Sequence, residues 1–121
     1  MAKRVLVVED SILISSALRI LLEANGYDVV VAGTANDAVE AASTSPPPDV
    51  MLLDLTLPDG DGLSVLDDLK ARKAKPSLTL AMTGHDDDIT RARCMAAGCA
   101  DVLLKPVPIN DLLRIIGEQI T

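Results

Sequence analysis

Five polar residues stand where apolar runs of this sequence end, and their chemical types suit the binding of phosphate beside a metal ion. Glu9 and Asp10 end the segment "VLVVED", and Asp54 ends "DVMLLD". Thr83 ends "SLTLAMT", and Lys105 ends "ADVLLK". Carboxylates bind hard divalent cations, while a hydroxyl and an ammonium group bind anions. The five residues therefore supply the groups that a phosphoryl-transfer site uses.

The three carboxylates would repel one another if folding brought them into one crevice. At about 4 Å, each pair would cost about 4 kcal/mol at an effective dielectric constant near 20. A hard divalent cation offsets that repulsion, and Mg²⁺ prefers oxygen ligands together with retained waters. We therefore expect Mg²⁺ as the cofactor, with Mn²⁺ able to replace it.

One of the acids is the better candidate for a nucleophile. Glu9 and Asp10 are adjacent, which makes them the better pair to hold a cation. Asp54 stands alone on its apolar run and leads into the glycine-rich segment "LPDGDG". We therefore predict that Asp54 accepts a phosphoryl group and becomes an acyl phosphate.

The elements that would carry these residues alternate along the chain between strand-length apolar runs and helical patterns. Strands are predicted over 3–9, 27–32, 49–54, 77–83 and 100–105, and helices over 11–26, 34–43, 61–72, 86–98 and 108–120. The strands are unbroken apolar runs, so helices should cover both faces of the sheet. We predict a doubly wound α/β fold, (βα)5, with a five-stranded parallel sheet and its site at the carboxyl ends of the strands.

Composition excludes several classes of function. The chain has 121 residues and a net charge of −7, which argues against direct binding of nucleic acid or of an anionic membrane surface. No apolar run approaches the roughly 18 residues of a membrane span. Cys94 and Cys99 are interpreted as reduced, buried thiols, because two cysteines and one histidine cannot close a zinc site. We expect a cytoplasmic protein of one domain, residues 1–121.

Four segments carry a resemblance to a known family, in the family's order and spacing. They are "VLVVED", "DVMLLDLTLPDGDG", "AMTG" and "LLKP". With them the chain resembles the receiver domains of response regulators in two-component signalling, over essentially its whole length. The resemblance implies a flavodoxin-like fold with strand order 2-1-3-4-5.

The resemblance also implies a role for each site residue. Asp54 would be the phosphoacceptor. Glu9 and Asp10 would hold Mg²⁺ together with one oxygen of Asp54 and the backbone carbonyl of Thr56. Thr83 would hydrogen-bond the phosphoryl group. Lys105 would pair with that group, and the peptide bond between Lys105 and the following proline would be cis.

The partners implied by the resemblance are signalling proteins. The phosphoryl donor would be a phosphohistidine on a sensor histidine kinase or a histidine phosphotransfer protein. The domain would not be an enzyme acting on a separate substrate, although it would catalyse its own phosphorylation and dephosphorylation. A weak homodimer through the face of the fourth helix, fifth strand and fifth helix is a further expectation.

The sequence departs from the family at a few positions. Val102 stands three residues before Lys105, where the family usually has Tyr or Phe, so the usual movement of an aromatic ring is not expected. Gly60 replaces a residue that is often apolar. Thr56 and His85 occupy positions that, in the family, flank the path of water to the acyl phosphate. Arg91 and Arg93 are interpreted as surface charges, and the run 86–88 as the start of a helix.

Each of these residues could also have a purely structural role. Asp54 could cap a loop, Glu9 and Asp10 could cap the first helix with Ser11, Thr83 could belong to a turn, and Lys105 could be a surface lysine.

Two further functions compete with that of a receiver. One is a phosphorylation-independent pseudo-receiver, which would lack the acceptor or the acids. The second is a small Mg²⁺ phosphatase of the haloacid-dehalogenase kind, which needs a second acid where this chain has Thr56.

Overall fold

Five parallel strands form the central sheet in a computed structural model that describes residues 3–44, 47–85 and 87–120. The strands are β1 (Arg4–Val8), β2 (Asp28–Ala32), β3 (Val50–Asp54), β4 (Leu78–Thr83) and β5 (Asp101–Leu104). Their order across the sheet is β2-β1-β3-β4-β5. The predicted parallel sheet and its 2-1-3-4-5 order are therefore confirmed when only the strands of this sheet are counted.

Helices follow all five strands along the chain. They are α1 (Ile12–Ala24), α2 (Ala35–Ala42), α3 (Leu63–Ala71), α4 (Asp88–Ala97) and α5 (Ile109–Ile120). None of the described helices combines the length and the apolar character that a membrane-spanning segment requires.

The apolar core has two layers, one on each face of the sheet. Along β1, Leu6 and Val8 pack with α2, α3 and α4, whereas Val5 and Val7 pack with α1 and α5. This alternation follows from the two-residue period of a strand, whose side chains point to opposite faces in turn. Both faces are covered, as the unbroken apolar runs predicted.

Side chains and glycines fix the helix ends close to the predicted positions. The Ser11 hydroxyl accepts a hydrogen bond from the backbone N–H of Ile14 at 3.3 Å. Thr34 accepts from Asp37 at 3.0 Å in the same way, which starts α2. Gly98 ends α4 in the left-handed conformation, with φ of 105°, which glycine adopts without strain.

The segment after Asp54 differs from the prediction. Thr56–Leu57 and Gly60–Asp61 pair as a short antiparallel hairpin, so α3 begins at Leu63 and not at residue 61. When these two short strands are counted, the last two strands of the sheet become the sixth and seventh along the chain. Asp61 lies just before α3, and its carboxylate accepts a hydrogen bond from the N–H of Leu63 at 3.0 Å. The loop carboxylates therefore have structural partners that the sequence pattern did not reveal.

The predicted start of α4 falls partly outside the described residues, because residue 86, the first acid of the run 86–88, is not among them. The described N-cap is Asp87, whose carboxylate accepts from the N–H of Thr90 at 2.7 Å. Near the other end of α4, Cys94 and Cys99 are buried free thiols, as predicted. Burial raises the pKa of both, that of Cys99 to about 12, so they are protonated at neutral pH.

Candidate functional site

Three carboxylates meet at the carboxyl ends of β1 and β3. Glu9 and Asp10 directly follow β1, and Asp54 is the last residue of the neighbouring β3. One oxygen from each lies within 4.8 Å of the others. Glu9 is 3% exposed and Asp54 4%, whereas Asp10 faces solvent. The sequence prediction that these acids share one crevice agrees with this geometry.

Lys105 reaches into the same cluster from the end of β5. Its Nζ lies 2.8 Å from Oε2 of Glu9 and 3.0 Å from Oδ2 of Asp54. The ammonium group therefore bridges the two buried carboxylates of the cluster. It compensates one of the three negative charges, and the cluster keeps an excess of negative charge when all three acids are ionised.

The burial of this cluster shifts the pKa values of its members. Burial raises the pKa of Glu9 above its ordinary value, and the nearby Asp54 carboxylate adds to that shift, although Lys105 opposes it. Burial lowers the pKa of Lys105, but hydrogen bonds to Glu9 and Asp54 outweigh this, so its pKa lies above the ordinary range. Lys105 therefore stays charged at neutral pH.

The donor set fits a hard divalent cation. It consists of carboxylate oxygens only, it is largely withdrawn from water, and one lysine does not neutralise it. Glu9, Asp10 and Asp54 are the described residues that could hold such an ion. Thr56 lies beside them, because its backbone N–H donates to Oδ1 of Asp54 at 3.1 Å. That the Thr56 carbonyl is a further ligand stays a prediction.

Thr83 ends β4 beside this cluster and is almost fully buried. Its Oγ1 accepts a hydrogen bond from the N–H of His85 at 3.0 Å and donates to the His85 carbonyl at 3.3 Å. The backbone N–H of Lys105 donates to the Thr83 carbonyl at 2.8 Å, which ties the two strand ends together. The hydroxyl is therefore held by the loop backbone, and its role in binding phosphate stays a prediction.

A shallow depression opens beside the carboxylate cluster. Thr83 and His85 line it from one side, and residues of the hairpin and of α4 line the rest: Leu55, Thr56, Gly60, Asp61, Thr90 and Arg93. His85 is exposed there, as expected for a loop residue next to the site. Thr56 and His85, the two positions that flank the path of water in the family, both line this depression.

Gly62 is a residue of the site that the sequence pattern did not single out. A Cβ atom at this position would lie 2.1 Å from the carbonyl oxygen of Asp54 and 2.9 Å from Cα of Leu55. Its φ of −55° is open to any residue, so glycine is needed here for space alone. The N–H of Gly62 also donates to the Leu55 carbonyl at 2.9 Å, which closes the loop after Asp54.

We expect Gly62→Ala to lower the free energy of unfolding by about 1–3 kcal/mol, because the added methyl group must push the backbone of Asp54 aside. Urea unfolding followed by circular dichroism measures this loss. Gly33→Ala is the matched control, since nothing lies within 4 Å of a Cβ built there. Equal stability of the two variants would contradict the close approach at Asp54.

Arg91 and Arg93 are partly exposed surface charges, and each also pairs with an acid that the sequence did not indicate. Arg91 contacts Asp101 at 3.3 Å, and Arg93 contacts Asp61. These partners lie 10 and 32 residues away along the chain. Helix spacing rules relate residues three or four apart, so the sequence contained no signal for either pair.

Two further expectations concern β5 and the turn after it. The Lys105–Pro106 peptide bond is cis, as predicted. Val102 is 4% exposed and packs in the core layer formed with α2, α3 and α4. A buried valine thus fills the position at which the family usually has an aromatic ring.

The fold and the acid cluster define a class of protein, an α/β domain with a carboxylate site at its strand ends. Comparison with known proteins makes the assignment specific. Residues 5–117 match the response regulator receiver domain family. The chain belongs to this family and is a receiver domain of the two-component response regulators.

The similar curated proteins include transcriptional regulatory proteins from bacteria. The transcriptional regulatory protein KdpE of Mycobacterium tuberculosis is 38% identical over 109 residues, which are 90% of this chain and 47% of that protein. The transcriptional regulatory protein AruR of Pseudomonas aeruginosa is 35% identical over 117 residues, which are 93% of this chain and 47% of AruR. The chain thus spans about half the length of the curated relatives it matches.

Solved structures resemble the fold closely. The receiver domain of a putative LuxO repressor protein from Vibrio parahaemolyticus has a TM-score of 0.89 and 28% identity, covering 98% of this chain and 90% of that chain. The receiver domain of the sensor histidine kinase PA1611 from Pseudomonas aeruginosa has a TM-score of 0.83 and 28% identity, covering 98% of each chain. The latter structure has a magnesium ion coordinated in its active site cleft.

Proposed function

We propose that residues 1–121 act as one receiver domain in a phosphorelay and that Asp54 accepts the phosphoryl group. The observation that supports this proposal is the position of Asp54 inside the cluster. Its carboxylate is buried, lies within 4.8 Å of the acids at positions 9 and 10, and contacts the Lys105 ammonium at 3.0 Å. A buried acid that only capped a loop would not need two further acids and a lysine around it.

The side chains of the cluster would have different roles in the phosphoryl transfer. Glu9 and Asp10 would hold Mg²⁺ with Asp54, and the ion would offset the charge of the transferring phosphoryl group and orient it. Lys105 would exchange part of its contact with the carboxylates for a contact with the phosphoryl oxygens. The Thr83 hydroxyl would turn from the His85 backbone to the phosphoryl group, since a hydroxyl can rotate to a new partner.

The transfer itself exchanges one bond for another at phosphorus. An oxygen of the Asp54 carboxylate forms a bond to phosphorus while the bond from phosphorus to the donor's imidazole nitrogen breaks. The nitrogen keeps the electron pair of the broken bond. A phosphohistidine is a suitable donor, because the imidazole leaves as a neutral molecule when its other ring nitrogen carries a proton. We propose that a sensor histidine kinase or a histidine phosphotransfer protein carries that histidine.

The face beside Lys105 has the apolar character that such a partner would require. Ile12 and Leu13 at the start of α1 are 81% and 82% exposed. An apolar groove of about 270 Å³ runs from α1 to the turn after β5, and Lys105 and Pro106 line its end at the site. A donor histidine must come close to Asp54, so a partner helix seated in this groove would bring its phosphohistidine to the acid cluster. We propose this groove as the partner's docking surface.

Replacing Leu13 with aspartate should separate docking from chemistry. We expect Leu13→Asp to slow phosphotransfer from a phosphohistidine protein by about 10-fold or more, because a charge would be buried against the partner. Phosphorylation by acetyl phosphate should not change. Ile20→Asp is the matched control on the same helix, since Ile20 is 67% exposed and does not line the groove. Equal loss with both donors would contradict the docking role.

Intact mass spectrometry tests the phosphoacceptor function directly. Incubation with Mg²⁺ and acetyl phosphate should add one phosphate to the protein, and the adduct should disappear on standing. Asp54→Asn should stay unmodified, as should the wild type with EDTA in place of Mg²⁺. A pseudo-receiver would remain unmodified in every sample. A phosphatase would release phosphate over many turnovers from phosphate monoesters, and the lack of a second acid at Thr56 argues against that outcome.

The output of the domain is also a proposal. The similar proteins KdpE and AruR are named transcriptional regulators, and this chain matches about half of each. We propose that phosphorylation changes a surface to which another domain or protein binds. Dimerisation through that surface is one such binding event. Because Val102 has no ring to move, the change would come through shifts of the backbone and of α4.

A further inference from the structure

An ion pair connects the two elements that flank the site. Arg93 of α4 contacts the carboxylate of Asp61, which lies in the hairpin opposite Thr56. Thr56 in turn donates its N–H to Asp54. The chain of contacts therefore runs from α4, through the hairpin, to the predicted phosphoacceptor. Both members of the pair line the depression beside the site.

The helix that carries Arg93 has little apolar packing to hold it in place. Cys94 is the single buried residue of α4 among its described side chains. By contrast, α3 buries Leu63, Val65, Leu66 and Leu69. The contacts of α4 with its neighbours therefore depend to a large extent on its arginines, Arg91 on the side of β5 and Arg93 on the side of the hairpin.

Two interactions hold the Asp61 carboxylate in place. Its Oδ1 accepts a hydrogen bond from the N–H of Leu63, and its Oδ2 contacts the guanidinium of Arg93. Burial raises the pKa of Asp61, but these hydrogen bonds outweigh it, so the pKa lies below its ordinary value. Asp61 is therefore ionised at neutral pH. Both side chains of the pair are about half exposed, so salt should screen their attraction.

We propose that the ion pair between Arg93 and Asp61 prolongs the life of the phosphorylated state by holding the hairpin against α4. This inference rests on the proposed phosphoacceptor function and adds a regulating element to it. In dephosphorylation, a water oxygen forms a bond to phosphorus while the bond from phosphorus to the Asp54 oxygen breaks. Asp54 keeps that electron pair, and the water protons pass to the released phosphate or to solvent. We take the depression beside Thr83 as the entry path of this water, because it opens next to the acid cluster and both members of the ion pair line it.

Arg93 is thus a positioning residue, because its described contact is with Asp61 and not with Asp54. If the pair is removed, the hairpin and α4 can separate, and water reaches the acyl phosphate more easily. A charge pair of this exposure contributes little to folding. Its loss should therefore alter the lifetime of the phosphate with little effect on stability.

The decay of the phosphorylated protein after removal of acetyl phosphate tests the inference. We expect Arg93→Ala and Asp61→Asn to decay about two- to fivefold faster than the wild type. Arg93→Lys should restore part of the lifetime. High salt should speed decay in the wild type and not in Arg93→Ala. In unphosphorylated, metal-free Arg93→Ala, hydrogen exchange should be faster at residues 55–62.

Arg72→Ala is the matched control. Arg72, which directly follows α3, contacts Glu40 of α2 at 3.8 Å. This pair is also exposed, but neither member lines the depression. Its decay rate should equal that of the wild type. An adduct that forms normally in Arg93→Ala and decays at the wild-type rate, or more slowly, would overturn this inference and leave the proposed function intact. A wild type that accepts no phosphate would overturn both.

Discussion

Replacing Lys105 with methionine is expected to destabilise the metal-free domain by about 3 kcal/mol at pH 7, in the range found when one partner of a buried ion pair is removed. The lysine is the cation that contacts both buried carboxylates, at 2.8 and 3.0 Å. Its side chain is 24% exposed, whereas those of Glu9 and Asp54 are 2% and 6% exposed. Methionine would fill similar space but leave two buried carboxylates without a counter-charge.

A bound cation should restore the stability that the lysine replacement removes. Mg²⁺ would replace the missing positive charge, so it should stabilise Lys105→Met more than it stabilises the wild type. Urea unfolding in EDTA and in Mg²⁺ measures both effects. Lys70→Met is the control for loss of a lysine, because Lys70 is exposed on α3 and away from the cluster. A Lys105→Met protein as stable as the wild type in EDTA would contradict the electrostatic role of the lysine.

Saturating Mg²⁺ is expected to raise the free energy of unfolding of the wild type by about 2–3 kcal/mol when its concentration is roughly 100 times the dissociation constant. Glu9→Gln should lose most of this gain, because the amide oxygen is a weaker ligand than a carboxylate. In EDTA the same variant should be more stable than the wild type at pH 7. Removal of one buried charge relieves repulsion with Asp54 while the amide oxygen can still accept a hydrogen bond from Lys105.

The pH dependence of stability follows from the shifted pKa of Glu9. Burial raises that pKa in the folded state above the ordinary 4.5, so the folded protein binds a proton more tightly than the unfolded chain does. This contribution is fully present below the unfolded pKa and is lost as pH rises through the folded pKa. Glutamine is neutral throughout, so in EDTA the advantage of Glu9→Gln should grow as pH rises above 4.5. An advantage that shrinks over that range would contradict the shift.

The strand ends could be predicted because each carries two independent signals in the sequence. Val50–Leu53 is a continuous apolar run of the kind that a sheet covered on both faces requires, and Asp54 ends it. Parallel strands in register then place the ends of β1 and β3 side by side, which is how Glu9 meets Asp54. Fold and acid cluster therefore follow from local patterns together with one rule of topology.

The rest of the site depends on contacts that no local pattern contains. The hairpin after Asp54 has only two residues in each strand, too few for a periodic signal. Arg93 and Asp61 are 32 residues apart, and each looks like an ordinary surface charge in the sequence. Gly62 resembles any other loop glycine, since its φ is open to every residue type and its need for space comes from the fold of the loop around Asp54. Such features appear only when the tertiary structure is known.

The sequence predicts that Lys105 binds an anion, and the structure shows which anions it contacts in the unphosphorylated domain. They are the carboxylates of Glu9 and Asp54. The chemistry was therefore predictable from the ammonium group and its position at a strand end. The particular partners were not, because they depend on how far the side chain reaches from β5 across the ends of β4 and β3 to β1.

The most direct test of Asp54 as the phosphoacceptor is to locate the phosphate. Protein treated with Mg²⁺ and acetyl phosphate is reduced with sodium borohydride, which converts an aspartyl phosphate to homoserine with release of phosphate, and is then digested for peptide mass spectrometry. The predicted result is homoserine at position 54 and unmodified residues at positions 9 and 10. Homoserine elsewhere, or a phosphorylated protein with an intact Asp54, would contradict the assignment.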